Sequence, residues 1–278
     1  MPDRAVLSTP LPTIAALLAL LSAVGWLIAG GLGVLVAAAG AGVAMLLAPR
    51  LPAAAIMRML RARPVSLDPW RGDGWHQVSE FLHALAARAG MTRVPKLYWQ
   101  SASGPRAFSA GDAADPAIAI SRGTLHQLPP RELQAVLAHE VAHLAAGDTR
   151  WLLLAETLAR VTQSVALIGL LSAFVGALLT GEAPFSGRAM LGLAAAPFVA
   201  RLLLLALARN REFAADAGAV RLTRDPEALA SALTTIERLS RRHWGQTYEA
   251  ALRNVPPVLR THPPTEERIA RLSRTEPA

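Results

Sequence analysis

The sequence predicts a mostly helical α+β protein with about four membrane-associated helices. Hydrophobic residues make up 53% of the 278 residues and charged residues only 17%, where soluble domains average about 25% charged. Apolar stretches at 11–48, 161–179 and 190–208 approach or exceed the roughly 20 residues that cross a hydrocarbon core. Around them lie segments of helical spacing and two short runs suited to strands.

The stretch 11–48 carries no charge. As one helix it would extend about 57 Å, nearly twice a hydrocarbon core of roughly 30 Å. Gly30-Gly31-Leu32-Gly33 near its middle predicts a hairpin with arms at 11–29 and 34–48, an N-terminal transmembrane unit of 1–49. A cleaved signal peptide fits poorly, because the run is too long and the second arm follows at once. Segment 50–74 sets Arg50, Arg58, Arg61, Arg63 and Arg71 against Asp68 and Asp73. Pro64, Pro69 and Gly72 argue against one continuous helix, so this segment reads as a linker. Its arginine excess beside a span marks the cytoplasmic side, which puts the loops near Gly31 and at 181–188 outside.

Between 75 and 89, Val78, Phe81, Leu82, Leu85 and Ala89 recur at helical spacing, and Gly90 supplies a stop. Residues 94–99 (VPKLYW) and 117–121 (AIAIS) read as short strands, the second after a turn-rich stretch at 111–116. Pro129 and Pro130 open a helix to about Gly147, with Leu133, Val136 and Leu137 on one face. Residues 75–160 form the first part of a compact α+β domain. The apolar stretches within 161–208 make a second hairpin around the loop GEAPFSGR, or, on a plainer reading, two buried helices of a soluble domain. Arg201 would cost at least about 2.5 kcal/mol at mid-membrane. It therefore faces a polar cavity, or the helix leaves the bilayer before reaching it, the preferred reading because the helix continues into 211–216. The arginine-rich part 209–278 completes the domain.

The chain has no cysteine, so disulfides are excluded and any metal must be held by His, Asp or Glu. Net charge is +8, carried by arginines beside apolar segments rather than among exposed aromatics. That pattern points to a lipid bilayer as partner, and no motif points to nucleic acid.

His139-Glu140-Val141-Ala142-His143 carries the chemistry. Helical residues four apart share a face, so both imidazoles can reach one ion. Glu140 is turned aside yet stays close enough to take a proton from an attacking water and deliver it to a leaving amine. Zinc suits this ligand set. The bland alternative is two surface histidines on an ordinary helix. A catalytic zinc needs a third protein ligand. Glu212 and Asp216, at i and i+4, supply a candidate ligand and a candidate acceptor for the free ring N–H of a ligating histidine. Equally, they form a solvated acidic pair balanced by Arg209 and Arg211.

Several ordered blocks resemble the HtpX-like membrane peptidases, relatives of the CAAX prenyl proteases. They are Arg106-Ala107-Phe108-Ser109-Ala110-Gly111, Ile120-Ser121-Arg122-Gly123-Thr124-Leu125, and the helix from Glu132 through His143. Gly147-Asp148, Arg211 to Asp216, and Thr261-His262-Pro263-Pro264 with Arg268-Ile269 complete the order. The resemblance implies a zincin-like fold of the gluzincin type, with Glu212 as third ligand beside His139 and His143 and Asp216 behind the ligands. One zinc per chain and a membrane or misfolded polypeptide substrate follow, in protein quality control at the inner (plasma) membrane, the site facing the cytoplasm. It further implies that the strand at 117–121 is an exposed edge on which the substrate lies extended. His262 or Arg268 would then approach the transition state, or else be a helix N-terminus and a structural ion pair. Arg106 stands where the family commonly has Asn. Prenyl-protein cleavage is disfavoured because four spans enclose no large chamber. Two rivals remain: a pseudoenzyme of the same fold that binds membrane-protein segments without cutting, and a plain membrane structural protein.

Overall fold

The computed structural model describes residues 9–47, 52–67, 73–182, 184–253 and 263–274. Its elements, in chain order, are α1 (Leu11–Leu47), α2 (Ala53–Met59), β1 (Arg63–Pro64), α3 (Asp73–Arg88), β2 (Lys96–Gln100), β3 (Ala107–Ala110) and β4 (Ala117–Ser121). There follow α4 (Arg122–Gln127), α5 (Pro130–Ala146), α6 (Asp148–Thr180), α7 (Gly187–Thr223), α8 (Pro226–Arg253) and α9 (Thr265–Leu272). They sort into two compact units, one within 8–50 and 151–208, the other within 51–150 and 209–278.

The first unit is wholly helical. α1 breaks at Ala29 and Gly30, where Gly30 takes φ 55°. Its two arms pack together: Leu17 and Leu21 share a buried cluster with Ala37 and Ala41, joined by Leu158 of α6 and Leu204 of α7. The outward side chains are also apolar, among them Trp26, Leu35, Phe174, Leu178 and Phe198. An apolar surface of that extent is stable in lipid and not in water. Three helices, at Leu11–Val43, Asp148–Thr180 and Gly187–Thr223, are long and apolar enough to cross a membrane, and the break divides the first into two arms. Arg201 lies 3.7 Å from Glu156, which also pairs with Arg160 at 2.7 Å. A carboxylate on the neighbouring helix thus compensates its charge.

The second unit is α+β. Its sheet has the order β1-β2-β4-β3; β2 and β4 run parallel, and β1 and β3 are antiparallel to their neighbours. The Ala-Ile alternation of β4 sorts its side chains by size. Ile118 and Ile120 join the main core with Val78 and Leu82 of α3 and Leu133, Leu137 and Val141 of α5. Ala117 and Ala119 face the other way, under Ala53 and Met57 of α2. Every residue of β4 is buried, so the strand at 117–121 is not the exposed edge that the resemblance implies. It is flanked on both sides, because its two faces are covered by apolar residues and both rows of its backbone groups are paired. Among the described residues the edges are the two-residue β1 and the four-residue β3, of which β3 packs beside α5.

Segment 52–67, within the stretch read as a linker, holds α2 and β1, with Ala53 and Met57 buried. The resemblance blocks around Arg106 and Ser121 have a structural reason. The Arg106 N–H donates to Ser121 Oγ at 3.0 Å and Thr124 Oγ1 at 2.8 Å, while its carbonyl accepts from Thr124 Oγ1 at 2.7 Å. These bonds pin the start of β3.

α7 reaches α5 at Gly218, where a Cβ would stand only 2.6 Å from the Ala142 Cβ. Any larger side chain must push the helices apart. Gly218→Leu is expected to destabilise by about 1–3 kcal/mol, seen as a melting temperature lowered by several degrees; an unchanged melting temperature would contradict this packing.

Candidate metal centre and active site

α5 begins with Pro130 at its first turn and carries Glu132 there, both favourable at a helix N-terminus. It ends at Gly147, whose left-handed conformation (φ 67°, ψ 28°) suits glycine. The chain turns there directly into α6, so Asp148 arrives beside His143 one turn back. Asp148 Oδ2 stands 2.8 Å from His143 Nδ1. Across the site, Asp216 Oδ1 stands 3.0 Å from His139 Nδ1.

With each Nδ1–H donating to a carboxylate, both histidines present an Nε2 lone pair. The two Nε2 atoms are 3.1 Å apart, and the rings meet nearly edge to face at 87°. Two lone pairs so close repel unless a cation lies between them. The Glu212 carboxylate closes the triangle, 3.8 Å from His139 Nε2 and 3.7 Å from His143 Nε2. Donors each about 2.1 Å from one tetrahedral ion stand roughly 3.4 Å apart. The spacing of His139, His143 and Glu212, all ligand atoms within 4.8 Å, fits a metal of that kind.

The site is largely buried: side-chain exposure is 11% for each histidine and 12% for Glu212. Glu140 is buried beside them. Burial alone would lower the His143 pKa, but the Asp148 hydrogen bond and the charges of Glu140 and Glu212 outweigh it and raise it. For Arg268, burial works against the charged form, and Asp216, Glu212 and Glu140 more than offset it, so its pKa is raised.

The carboxylates behind the two histidines are each paired with an arginine. Arg268 donates Nε to Asp216 Oδ2 at 2.8 Å and Nη2 to Oδ1 at 2.6 Å, while its Nη1 lies 3.4 Å from Glu212. Arg211 donates Nε to Asp148 Oδ1. α9, which carries Arg268, is seated on α7 by further contacts: Arg209 with Glu267 at 3.3 Å, and the Arg271 guanidinium over the Phe213 ring at 3.5 Å.

The structure thus brings His139, Glu140, His143, Glu212, Asp216 and Arg268 together, whereas His262 lies outside the described residues. Glu212 and Asp216 are not a solvated pair. Asp148 and Arg211 are the residues that sequence reasoning missed. Asp148 had a signal, an acid directly after the Gly147 stop. Arg211 had none, because an arginine beside two acids reads as surface charge, yet it is only 7% exposed.

Comparison with known proteins agrees with this geometry. The description Peptidase family M48 matches residues 75–276. Protease HtpX of Legionella pneumophila (strain Corby) is 33% identical over 93% of this chain and 95% of its own length. A Protease HtpX homolog of Acidiphilium cryptum is 34% identical over 93% of this chain and 92% of its own, and one of Acaryochloris marina is 37% identical over 69% of each. A buried His-His-Glu cluster, three membrane-length apolar helices and these likenesses agree: the chain belongs to peptidase family M48 and is an HtpX-like membrane metalloprotease.

Proposed function

We propose that this chain is a zinc-dependent endopeptidase that hydrolyses peptide bonds of membrane or misfolded proteins, anchored in the inner (plasma) membrane with its site facing the cytoplasm. The convergence of two Nε2 atoms and one carboxylate, with Glu140 beside them, is the observation that carries this reading. His139, His143 and Glu212 would hold the zinc. Bound there, zinc supplies Lewis acidity, bringing the pKa of water to about 7 and polarising a carbonyl. Glu140 takes the proton of the attacking water and delivers it to the leaving nitrogen. Asp216 and Asp148 orient the imidazoles, and Arg268 and Arg211 hold those carboxylates in turn. We assign Arg268 this positioning role because both edges of its guanidinium are spent on Asp216 and Glu212.

The substrate is expected along β3. A peptide laid against this edge would take main-chain hydrogen bonds while the side chains decide little. Its start is fixed by Ser121 and Thr124, so the edge is preorganised beside α5.

Detergent-purified wild type and Glu140→Gln are expected to carry one zinc per chain each, with casein cleavage lowered by about 10²–10⁴-fold in the variant. Zinc with no cleavage by wild type would overturn the endopeptidase reading, and absence of zinc would overturn the metal assignment. Asp148→Asn is expected to weaken zinc binding by about 10–100-fold, measured by chelator competition. Arg211→Lys, which keeps the charge but not the guanidinium geometry, moves the same way by less. Reporter domains fused at Gly31 and Asp73 test orientation: Asp73 is expected inside, and a reporter placing it outside rules the orientation out.

A further inference from the structure

In the α+β unit, the large hydrophobic side chains exposed among the described residues are Met59 (78%), Leu60 (46%) and Val94 (37%). Met59 and Leu60 are adjacent at the end of α2, and that end is held firmly. The opposite face of α2 buries Ala53 and Met57 against the sheet, and Gln100 donates its side-chain N–H to the Leu60 carbonyl. α2 closes with the Arg61 N–H on the Arg58 carbonyl at 3.0 Å and the Ala62 N–H on the Met57 carbonyl at 2.8 Å. Arg61 itself takes φ 57°, a left-handed conformation that glycine adopts at lower cost. The turn therefore holds an arginine where the backbone favours glycine.

Charge along this segment is one-sided, the nearest carboxylate contact being Asp115 on the Ala53 N–H at the other end of α2. Arg58, Arg61 and Arg63 are all exposed, and no acidic residue occurs between 48 and 67. The chain also limits where the tip can go. Five residues separate α1, which ends at Leu47, from α2, which begins at Ala53. That connection is short, so α2 follows closely on an apolar arm along the chain. An exposed apolar pair with three exposed arginines within four residues of it, a short way along the chain from an apolar arm, has the character of an interfacial anchor. It is too small for a protein partner, since stable protein interfaces bury about 800 Å² per side.

We propose that the α2 tip docks into an anionic lipid surface, with Met59 and Leu60 entering the headgroup–acyl boundary and Arg58, Arg61 and Arg63 pairing with lipid phosphates. The inference rests on membrane association alone and not on the metal site, so its failure and that of the peptidase assignment are distinguishable.

The chain has no cysteine, so Met59→Cys gives a single labelling position in the full-length protein. A fluorophore there is compared, in nanodiscs carrying shallow nitroxide-labelled lipid, with one at Val94→Cys, both proteins first shown to melt as wild type does. With about one third phosphatidylglycerol, position 59 is expected to be quenched at least about twofold more than position 94. In phosphatidylcholine alone, or with Arg58, Arg61 and Arg63 all changed to Gln, that difference should largely disappear. Quenching at position 59 no greater than at position 94, or indifferent to phosphatidylglycerol, overturns the proposal.

Discussion

Four carboxylates and two guanidinium groups share one buried pocket with two imidazoles, and the α+β unit is arranged to keep that charge stable. An unpaired ion buried there would cost several kcal/mol. The structure answers with closed chains of contacts: Arg211 to Asp148 to His143 on one side, Arg268 to Asp216 to His139 on the other. With the histidines neutral, Glu140, Asp148, Glu212 and Asp216 bring four negative charges against the two positive charges of Arg211 and Arg268. The residual charge of −2 is what a divalent cation neutralises. Four elements, α5, the start of α6, α7 and α9, must converge to achieve this, in keeping with the tight contact of α7 on α5 and the seating of a short, polar α9 on α7.

Part of this was legible in the sequence because it follows from local periodicity. The spacing of His139 and His143 on a helix opened by Pro130 fixes both rings on one face, and no tertiary information is needed. The buried helix around Val78 and Leu82 and the Ala-Ile strand are similar cases. Where sequence reasoning went astray, the cause was non-local. Five alternating residues at 117–121 announce a strand but not its position in a sheet. That position depends on β3, a four-residue strand with the weak pattern Ala-Phe-Ser-Ala, which leaves little trace. α2 was hidden by the prolines around it. Arg211 was hidden because burial of a charge is decided by a partner 63 residues away.

The ordered blocks that carry the family resemblance divide into two physical kinds. His139, Glu140, His143, Glu212 and Asp216 belong to the proposed metal centre. Ser121 and Thr124 touch none of it in the described structure; they hold the backbone of Arg106 and so the edge strand. At Arg106 the bonds that fix β3 are made by the backbone N–H and carbonyl and not by the side chain.

The shortness of β3 has a consequence for selectivity. On a strand of four residues, about two direct their backbone groups away from the sheet. A visiting chain therefore gains only a few bonds, and only where its own backbone groups are unpaired. A stretch already folded into a helix or sheet has none to offer. If β3 holds the substrate as proposed, the edge would discriminate by conformational state rather than by side-chain identity, retaining polypeptide that has lost its structure and releasing what remains intact.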